Sequence, residues 1–393
     1  MKKVMILGGA RAQLSLIRTA KKMGFKTIVV GIEGNYPGYS LADEYYPVDI
    51  FNKEKVLKIA NEIKIDGISM VCSDFGLATI GYVCDKMGLS GITEYSAEVS
   101  SNKLKMKELF EEAGVRTAKY RIIRNDNDVK EALKVLSFPL IVKAVDLQGS
   151  RGIYICRDKQ SVIDKYKLSI DESRVDYCIV EEFIEGEEFG AQAFVYKGEV
   201  VFVLPHGDKT IKINSTQVPM IHYAPYKEDN PQLNNEIIDL CKKSMRALSL
   251  DNCAVNIDLI MKDGVPYIIE VAGRAGANCL PELVGTKFGV NYYKMVLMAA
   301  VGEDPRPCFE SGVRLSQTVM TKMIPSMKSG LVEEITSCPD DIHLFFKPGD
   351  QIRAFTNSRD YIGETLCIGE SVEECENILE NRESKMVIKL KEN

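Results

Sequence analysis

What is missing from this 393-residue sequence narrows its function before any motif is read. There is no excess of basic charge: 50 Lys and Arg stand against 56 Asp and Glu, a formal net charge of -6. That balance excludes the large basic field a non-specific nucleic-acid binder needs. No apolar stretch approaches the roughly 20 residues required to cross a bilayer. The 11 cysteines, from Cys72 to Cys375, contain no CxxC pair and are scattered through apolar segments. This pattern suits buried thiols in a reducing compartment better than disulfides or zinc. Histidine is scarce, with only His206, His222 and His343, and three isolated histidines do not make a metal cluster. Internal repeats and low-complexity tracts are absent. The opening "MKKVMILGGARAQ" is basic and then apolar, but its apolar run ends in two glycines and continues amphipathically. It reads as a first strand and not as a secretion signal. Cytoplasm is the expected location.

What is present begins with alternation. Over the first ninety residues, "KKVMILGG", "FKTIVVG" and "DGISMVCSD" read as strands between helical windows at Ala12 to Met23, Lys53 to Ile63 and Gly76 to Met87. Short apolar runs between amphipathic helices indicate a parallel sheet covered on both faces, a Rossmann-like unit. Its first turn is "GGARAQ" and not G-x-G-x-x-G: Gln13 stands where a small residue would allow close helix packing. Glu33 closes the second strand where a ribose-binding acid could stand, so nicotinamide binding is an alternative that the fingerprint weakens. Near residue 95 the pattern changes. A helix capped within Ser100 to Asn102 runs to Glu112 and is stopped by Gly114. Strands linked by short turns follow, then a helix from about Asn235 to Leu248 and the hairpin "AVNIDLIMKDGVPYIIEVAG". The expected domains are 1–95, 96–310 and a C-terminal portion over 311–393.

Three constellations carry chemistry. Lys143 interrupts the apolar run "PLIVKAV", so its ammonium must reach solvent or meet an anion. Gly149, Ser150 and Gly152 follow it and supply backbone amides of the kind that cradle phosphates, although a flexible hairpin tip accounts for them nearly as well. In the late hairpin, Val255, Ile257 and Leu259 share one face while Asn256 and Asp258 share the other. Alternation places Ile268, Glu270 and Ala272 on the face of Asp258. A two-residue Asp263-Gly264 turn would break that match, so a three-residue connection or a bulge at Gly264 is expected. Two facing carboxylates repel unless a cation lies between them, and a hard ion such as magnesium fits. His206, Asp208, Lys209 and Lys212 form a further charged group just beyond a strand, balanced between a phosphate-side role and a solvated cluster.

"PLIVKAV", "VEEFIEGEEF" and "NIDLIMKDGVPYIIEVAGR", in this order and spacing, resemble the ATP-grasp superfamily, in particular its carboxylate-amine ligase-like members. The resemblance covers nearly the whole chain. It implies an α/β N-terminal Rossmann-like (pre-ATP-grasp) domain, an α+β ATP-grasp fold and a small C-terminal closing portion. It further implies that ATP lies between two antiparallel sheets, with Lys103 and Lys143 on its phosphates beside Gly149, Ser150 and Gly152. Glu181, Glu182 and Ile184 would line the adenine edge, Glu188 would hold the ribose and Lys209 would approach the phosphates. Asp258 and Glu270 would bind one or two Mg2+, with Mn2+ able to substitute. Arg274, with Lys143, would serve the transferred phosphoryl group. The sequence departs from the family's "ExNxR" at Ala272, which leaves one magnesium site weaker or completed by water, and at the glycine pair after the arginine, here Gly276-Ala277.

The implied activity is ATP-dependent joining of a carboxylate to an amine through an acyl phosphate, with an amino acid or other small carboxylate as substrate. Alternatives are a ligase or carboxylase directed at bicarbonate or a purine intermediate, and a non-catalytic ATP-binding regulator. The expected partners are small-molecule carboxylate and amine substrates, without nucleic acid or membrane, and a homodimer is left open.

Overall fold

The computed structural model describes residues 1–147, 152–213, 216–357 and 360–391. The first unit is a parallel sheet of β1 (Lys3–Leu7), β2 (Lys26–Gly31), β3 (Glu44–Pro47) and β4 (Gly67–Ser69), ordered β3-β2-β1-β4. Val4 to Leu7 and Ile28 to Val30 are fully buried, as an interior parallel sheet requires. The first helix begins later than its pattern suggests, as a 3-10 turn over Arg11–Gln13 followed by Leu14–Lys22. Gln13 explains the broken fingerprint. Its buried amide donates to the Val71 carbonyl at 2.7 Å and accepts from the Val71 N–H at 3.1 Å, tying the first turn to the chain after β4.

The crevice above that turn is filled by the protein itself. Tyr39 stacks on Tyr45 with ring centroids 3.7 Å apart, and its hydroxyl donates to the Ile32 carbonyl at 2.6 Å. A Cβ at Gly9 would lie 2.1 Å from Tyr39 Cε1, and one at Gly31 would lie 2.5 Å from its Oη. Both glycines are therefore required by an internal tyrosine.

A second, antiparallel sheet comprises β5 (Tyr120–Ile123), β6 (Leu140–Ala144), β7 (Ile153–Cys156) and β8 (Cys178–Glu182), ordered β5-β8-β6-β7. It has its own small core, including Ile123, Leu140, Val142, Val162, Tyr166 and Val180. The third and largest sheet is built from β9 (Glu187–Tyr196), β10 (Glu199–Ile213), β11 (Thr216–Ala224), β12 (Cys253–Lys262) and β13 (Val265–Ala272). The C-terminal chain adds β14 (Thr318–Pro325), β15 (Gly330–Ser337), β16 (Ile342–Leu344), β17 (Gln351–Ile352), β18 (Tyr361–Gly369) and β19 (Val387–Lys391). The large sheet runs β13-β12-β9-β10-β11-β14-β18-β16, while β17-β15-β19 form a separate three-stranded sheet. Residues beyond 311 thus extend the central sheet.

First unit and large sheet share their cores. Met5, Leu7 and Ile28 join Val255, Ile257 and Ile268 in one cluster, and Val4, Ile6 and Leu16 join Leu283, Met295 and Leu297 in another. The small β5–β8 sheet, called the flap below, has a core of its own and is linked to the large sheet through Lys103, which touches Leu147 and Glu270. Among the described residues, no helix is long and apolar enough to cross a membrane.

The hairpin register corrects one expectation while meeting its purpose. Asp263 and Gly264 form a two-residue turn with φ of 51° and 77°, pairing Lys262 with Val265. Positive φ at both positions suits a tight hairpin turn. The extra residue is absorbed further along, between Asp258 and Leu259: Leu259 pairs with Ile268 and Asp258 with Glu270, leaving Ile269 as the bulge. The two carboxylate residues face each other, as the alternation requires.

Candidate active site

The cleft lies between the flap and the large sheet, and one helix connects them. Asn102 caps the helix Lys103–Ala113, its side chain accepting from the N–H groups of Leu104 at 3.0 Å and Lys105 at 3.1 Å. Lys103 and Lys107 stand one turn apart and share a face. Lys103 Nζ donates to the Leu147 carbonyl of the flap at 2.8 Å and sits 3.5 Å from Glu270 Oε1 on the large sheet. It joins the two halves of the cleft.

Lys107, which the sequence reading passed over, lies beneath. Its Nζ is 3.0 Å from Glu181 Oε2, both side chains only 4% exposed, and it donates to Thr117 Oγ1 at 2.8 Å. Lys143 reaches the same Glu181 oxygen at 3.1 Å. Burial pushes the Glu181 carboxyl up, but the two ammonium groups outweigh it and hold its pKa below the ordinary value. Burial lowers Lys107 to about 8, only partly opposed by Glu181. Glu181 therefore pairs with two lysines, Lys143 of the flap and Lys107 of the helix Lys103–Ala113. The Glu182 carboxylate accepts from the Ser137 N–H at 3.1 Å, and its backbone N–H donates to the Lys119 carbonyl at 2.9 Å. Ile184 follows on the segment joining flap to large sheet, half-buried. Gly149 and Ser150 lie outside the described residues. Gly152 has φ of 64°, and a Cβ there would come within 2.8 Å of Ala144 Cβ.

On the large sheet the cleft floor is a row of paired positions: Glu270 opposite Asp258, Asp258 opposite Gly190, and Gly190 opposite His206. Asp258 opens to the cleft on one side and is enclosed by protein on the others. That enclosure, and then the charge of Glu270, raise its pKa to about 7. Water on the open side screens the effect. Asn256 donates to Asp258 Oδ1 at 2.9 Å and accepts from Gln192 Nε2 at 2.6 Å. Asn256 also pairs directly with Ala272, so an amide stands across the ladder from the position where the "ExNxR" pattern lacks one.

Glu188 lies two pairs further along, opposite Ile260. It is exposed at its edge, yet partial enclosure and then Asp208 raise its pKa. Such a carboxyl can accept from hydroxyl groups at the cleft mouth.

Two expectations change. Lys209 points to the sheet face opposite Asp208 and pairs with Glu376 of the helix Val372–Ser384, away from the facing carboxylates. The histidines are not isolated, because β10 pairs Asp208 directly with His222. His206 Nδ1 lies 2.8 Å and His222 Nδ1 2.6 Å from Asp208 Oδ1, with both rings buried. Asp208 is held well below the carboxylate range: burial opposes this, but the two rings outweigh it. The three side chains could hold a metal ion by proximity. Both Nδ1 atoms engage the carboxylate at hydrogen-bond separation, while both Nε2 atoms are buried without a hydrogen-bond partner among the described residues.

Arg274 leaves the end of β13 as expected, but it is paired. Its Nε and Nη2 donate to Asp74 Oδ1 and Oδ2 at 2.5 and 3.1 Å. Burial disfavours its charge, yet Asp74 more than compensates and raises its pKa. Asp74 comes from the loop after β4, 200 residues away in sequence, and no spacing rule could have found it.

The chain is similar in sequence and fold to known proteins. Residues 101–276 match the family model for the phosphoribosylglycinamide synthetase ATP-grasp (A) domain. The crystal structure of phosphoribosylglycinamide synthetase from Anaerococcus prevotii is 40% identical, covers 99% of this chain and 100% of its own, and superposes with a TM-score of 0.87. An L-amino acid ligase from Bacillus licheniformis is 21% identical, covers 100% of this chain and 99% of its own, and has a TM-score of 0.80, a likeness of fold. The alanine–anticapsin ligase of Bacillus subtilis (strain 168) is 28% identical over 294 residues, 66% of this chain and 61% of that protein. The chain thus spans less than two thirds of the length of that curated relative.

Proposed function

Because this chain belongs to the ATP-grasp superfamily and shares its ligase and carboxylase chemistry, we propose that it is an ATP-dependent carboxylate-amine ligase whose carboxylate substrate is an amino acid. The observation that carries this reading is the facing pair Asp258 and Glu270 with Lys103 3.5 Å from Glu270. Two carboxylates side by side, one of them driven up to about 7, form an oxygen donor set that is relieved by a hard divalent cation. The residues present therefore fit Mg2+ accompanying ATP phosphates, and Asp258 and Glu270 would hold it. When bound, magnesium offsets phosphate charge.

The chain's own residues supply the rest. Lys103 and Lys143 bring ammonium groups to the phosphate side of the cleft, and Glu181, fixed by Lys107, keeps Lys143 in place. Glu188 offers its carboxylate to the ribose hydroxyls, and the backbone at Glu182 and Ile184 offers polar groups to the base. In the reaction, an oxygen of the substrate carboxylate attacks the γ-phosphorus, the bond to the ADP oxygen breaks, and an acyl phosphate forms. The amine then attacks the acyl carbon, loses a proton and expels inorganic phosphate. Arg274 stabilises charge on the group in transfer. The flap excludes water that would otherwise hydrolyse the acyl phosphate.

An amino acid is favoured because the relatives of this chain include an alanine–anticapsin ligase and a phosphoribosylglycinamide synthetase. The test is phosphate release from MgATP in the presence of pooled amino acids, with bicarbonate as the competing pool. Release with bicarbonate alone would replace this reading with a carboxylase.

A further inference from the structure

The turn that carries Arg274 is fixed from the first domain. In the loop after β4, the Cys72 N–H donates to the Ala275 carbonyl at 3.1 Å and the Cys72 thiol to the Gly276 carbonyl at 3.2 Å. From the other side, Gln192 Oε1 accepts from the Gly276 N–H at 2.9 Å. These contacts hold backbone. Asp74, from the same loop, takes hold of the arginine side chain.

The way it does so matters chemically. A guanidinium presents five N–H bonds in one rigid plane. Asp74 occupies the side edge formed by Nε and Nη2, and the Ala275 carbonyl takes one Nη1 hydrogen at 3.3 Å. Among the described residues one N–H on Nη1 and one on Nη2 are left over, and these two nitrogens form the end of the plane, a fork. That fork matches two oxygens of a phosphoryl or carboxylate group. Arg274 and Asp258 lie close enough for their charges to interact.

We propose that Asp74 is the positioning residue for Arg274: it consumes the side edge of the guanidinium and thereby presents the end fork to the phosphoryl group in transfer. This rests on the role given to Arg274 above. An ion pair that only fastened two domains would not need the bidentate side-on geometry, since Cys72 and Gln192 already fasten the turn. The first domain then contributes orientation to phosphoryl transfer.

The test needs no knowledge of the substrate. MgADP binding to the full chain is measured with and without aluminium fluoride, a mimic of the phosphoryl group in flight, with thermal melting alongside. The wild type should bind MgADP at least about 10-fold more tightly when the fluoride is present. Asp74→Ala and the isosteric Asp74→Asn should keep MgADP affinity within about threefold of wild type and lose that gain, because Asn places an N–H against Nη2. Asp74→Glu should recover part of it. Arg274→Lys serves as the comparator and should lose the gain as well. If the Asp74 variants keep the gain while Arg274→Lys loses it, positioning by Asp74 is wrong and the role of Arg274 stands. If all variants keep it, or the wild type never gains, the role of Arg274 fails and the proposal falls with it. Equal losses of MgADP affinity with and without fluoride would mean general collapse of the cleft and would also overturn it. Asp74→Asn keeps the shape of the side chain, so the result stands even if Asp74→Ala does not fold.

Discussion

Two crevices of this chain meet the description of a nucleotide site, and they are built in opposite ways. The first, above β1 and β2, has the glycine turn and the parallel sheet, but its space is taken by Tyr39 stacked on Tyr45. The second, between flap and large sheet, has Lys103 meeting Glu270 of the large sheet, with Lys143 and Glu181 paired on the flap side. Apolar and aromatic filling removes a site, because displacing a packed ring exposes surface and leaves a cavity. Interleaved charge prepares one, because each ion pair can be exchanged for a pair with an incoming phosphate or cation. Glycine alone does not distinguish the two: Gly9 makes room for the protein's own tyrosine.

The largest effect that could break this contrast is kinetic. Glu270→Gln and Asp258→Asn should each lower ATP-dependent phosphate release by about 100-fold or more, with a smaller loss of nucleotide affinity. Steady-state rates alongside nucleotide titration would check it, and unchanged rates would remove the cleft floor from the chemistry. Next comes the buried network. Lys107→Met leaves Glu181 with Lys143 alone, and should destabilise the protein by about 2–3 kcal/mol in urea unfolding. A neutral result would mean that Lys143 alone satisfies Glu181.

The two crevices can also be set against each other directly. MgADP at about 100 times its dissociation constant should stabilise the protein by about 2.7 kcal/mol, while NAD should leave the melting temperature unchanged. Gly9→Ala, whose Cβ would fall 2.1 Å from Tyr39 Cε1, should lower the melting temperature and leave MgADP affinity intact. Stabilisation by NAD would reinstate the first crevice as a ligand site.

The smallest expected effect is on pH dependence. Asp258 carries a pKa raised from 3.8 to about 7, so between those values the folded state keeps a proton that the unfolded state has lost. Its contribution to the stability of the ligand-free protein is therefore full below the unfolded value and declines as pH rises toward 7. MgADP must displace that proton, so its affinity should rise with pH up to about 7 and level off above. In Asp258→Asn this rise should disappear. Calorimetric titration at several pH values would read it.

Much of this was legible in the chain. The alternation over the first ninety residues gives the parallel sheet, because side-chain period and burial are set locally. The face shared by Asp258 and Glu270 followed from period-2 patterning, although the bulge that delivers it lies at Ile269 and not at Gly264. Lys107 also had a signal, four residues after Lys103, and was passed over because a lysine on a helix usually points to water. Lys209 had the right neighbours and the wrong face: one step along a strand turned it toward Glu376.

What the sequence pointed to, by its patterning and its family resemblance, is most of the elements and the residues proposed to hold phosphate and metal: Lys103, Lys143, Asp258, Glu270 and Arg274. What only the tertiary structure decided is whom those residues meet. Asp74 reaches Arg274 across 200 positions, His222 joins His206 because β10 and β11 pair in one particular register, and Tyr39 closes the first crevice by folding back over Gly9. The physical reason is that periodicity follows from the backbone within a few residues, whereas side-chain partners depend on which elements pack together, and packing is settled by burial summed over the whole chain.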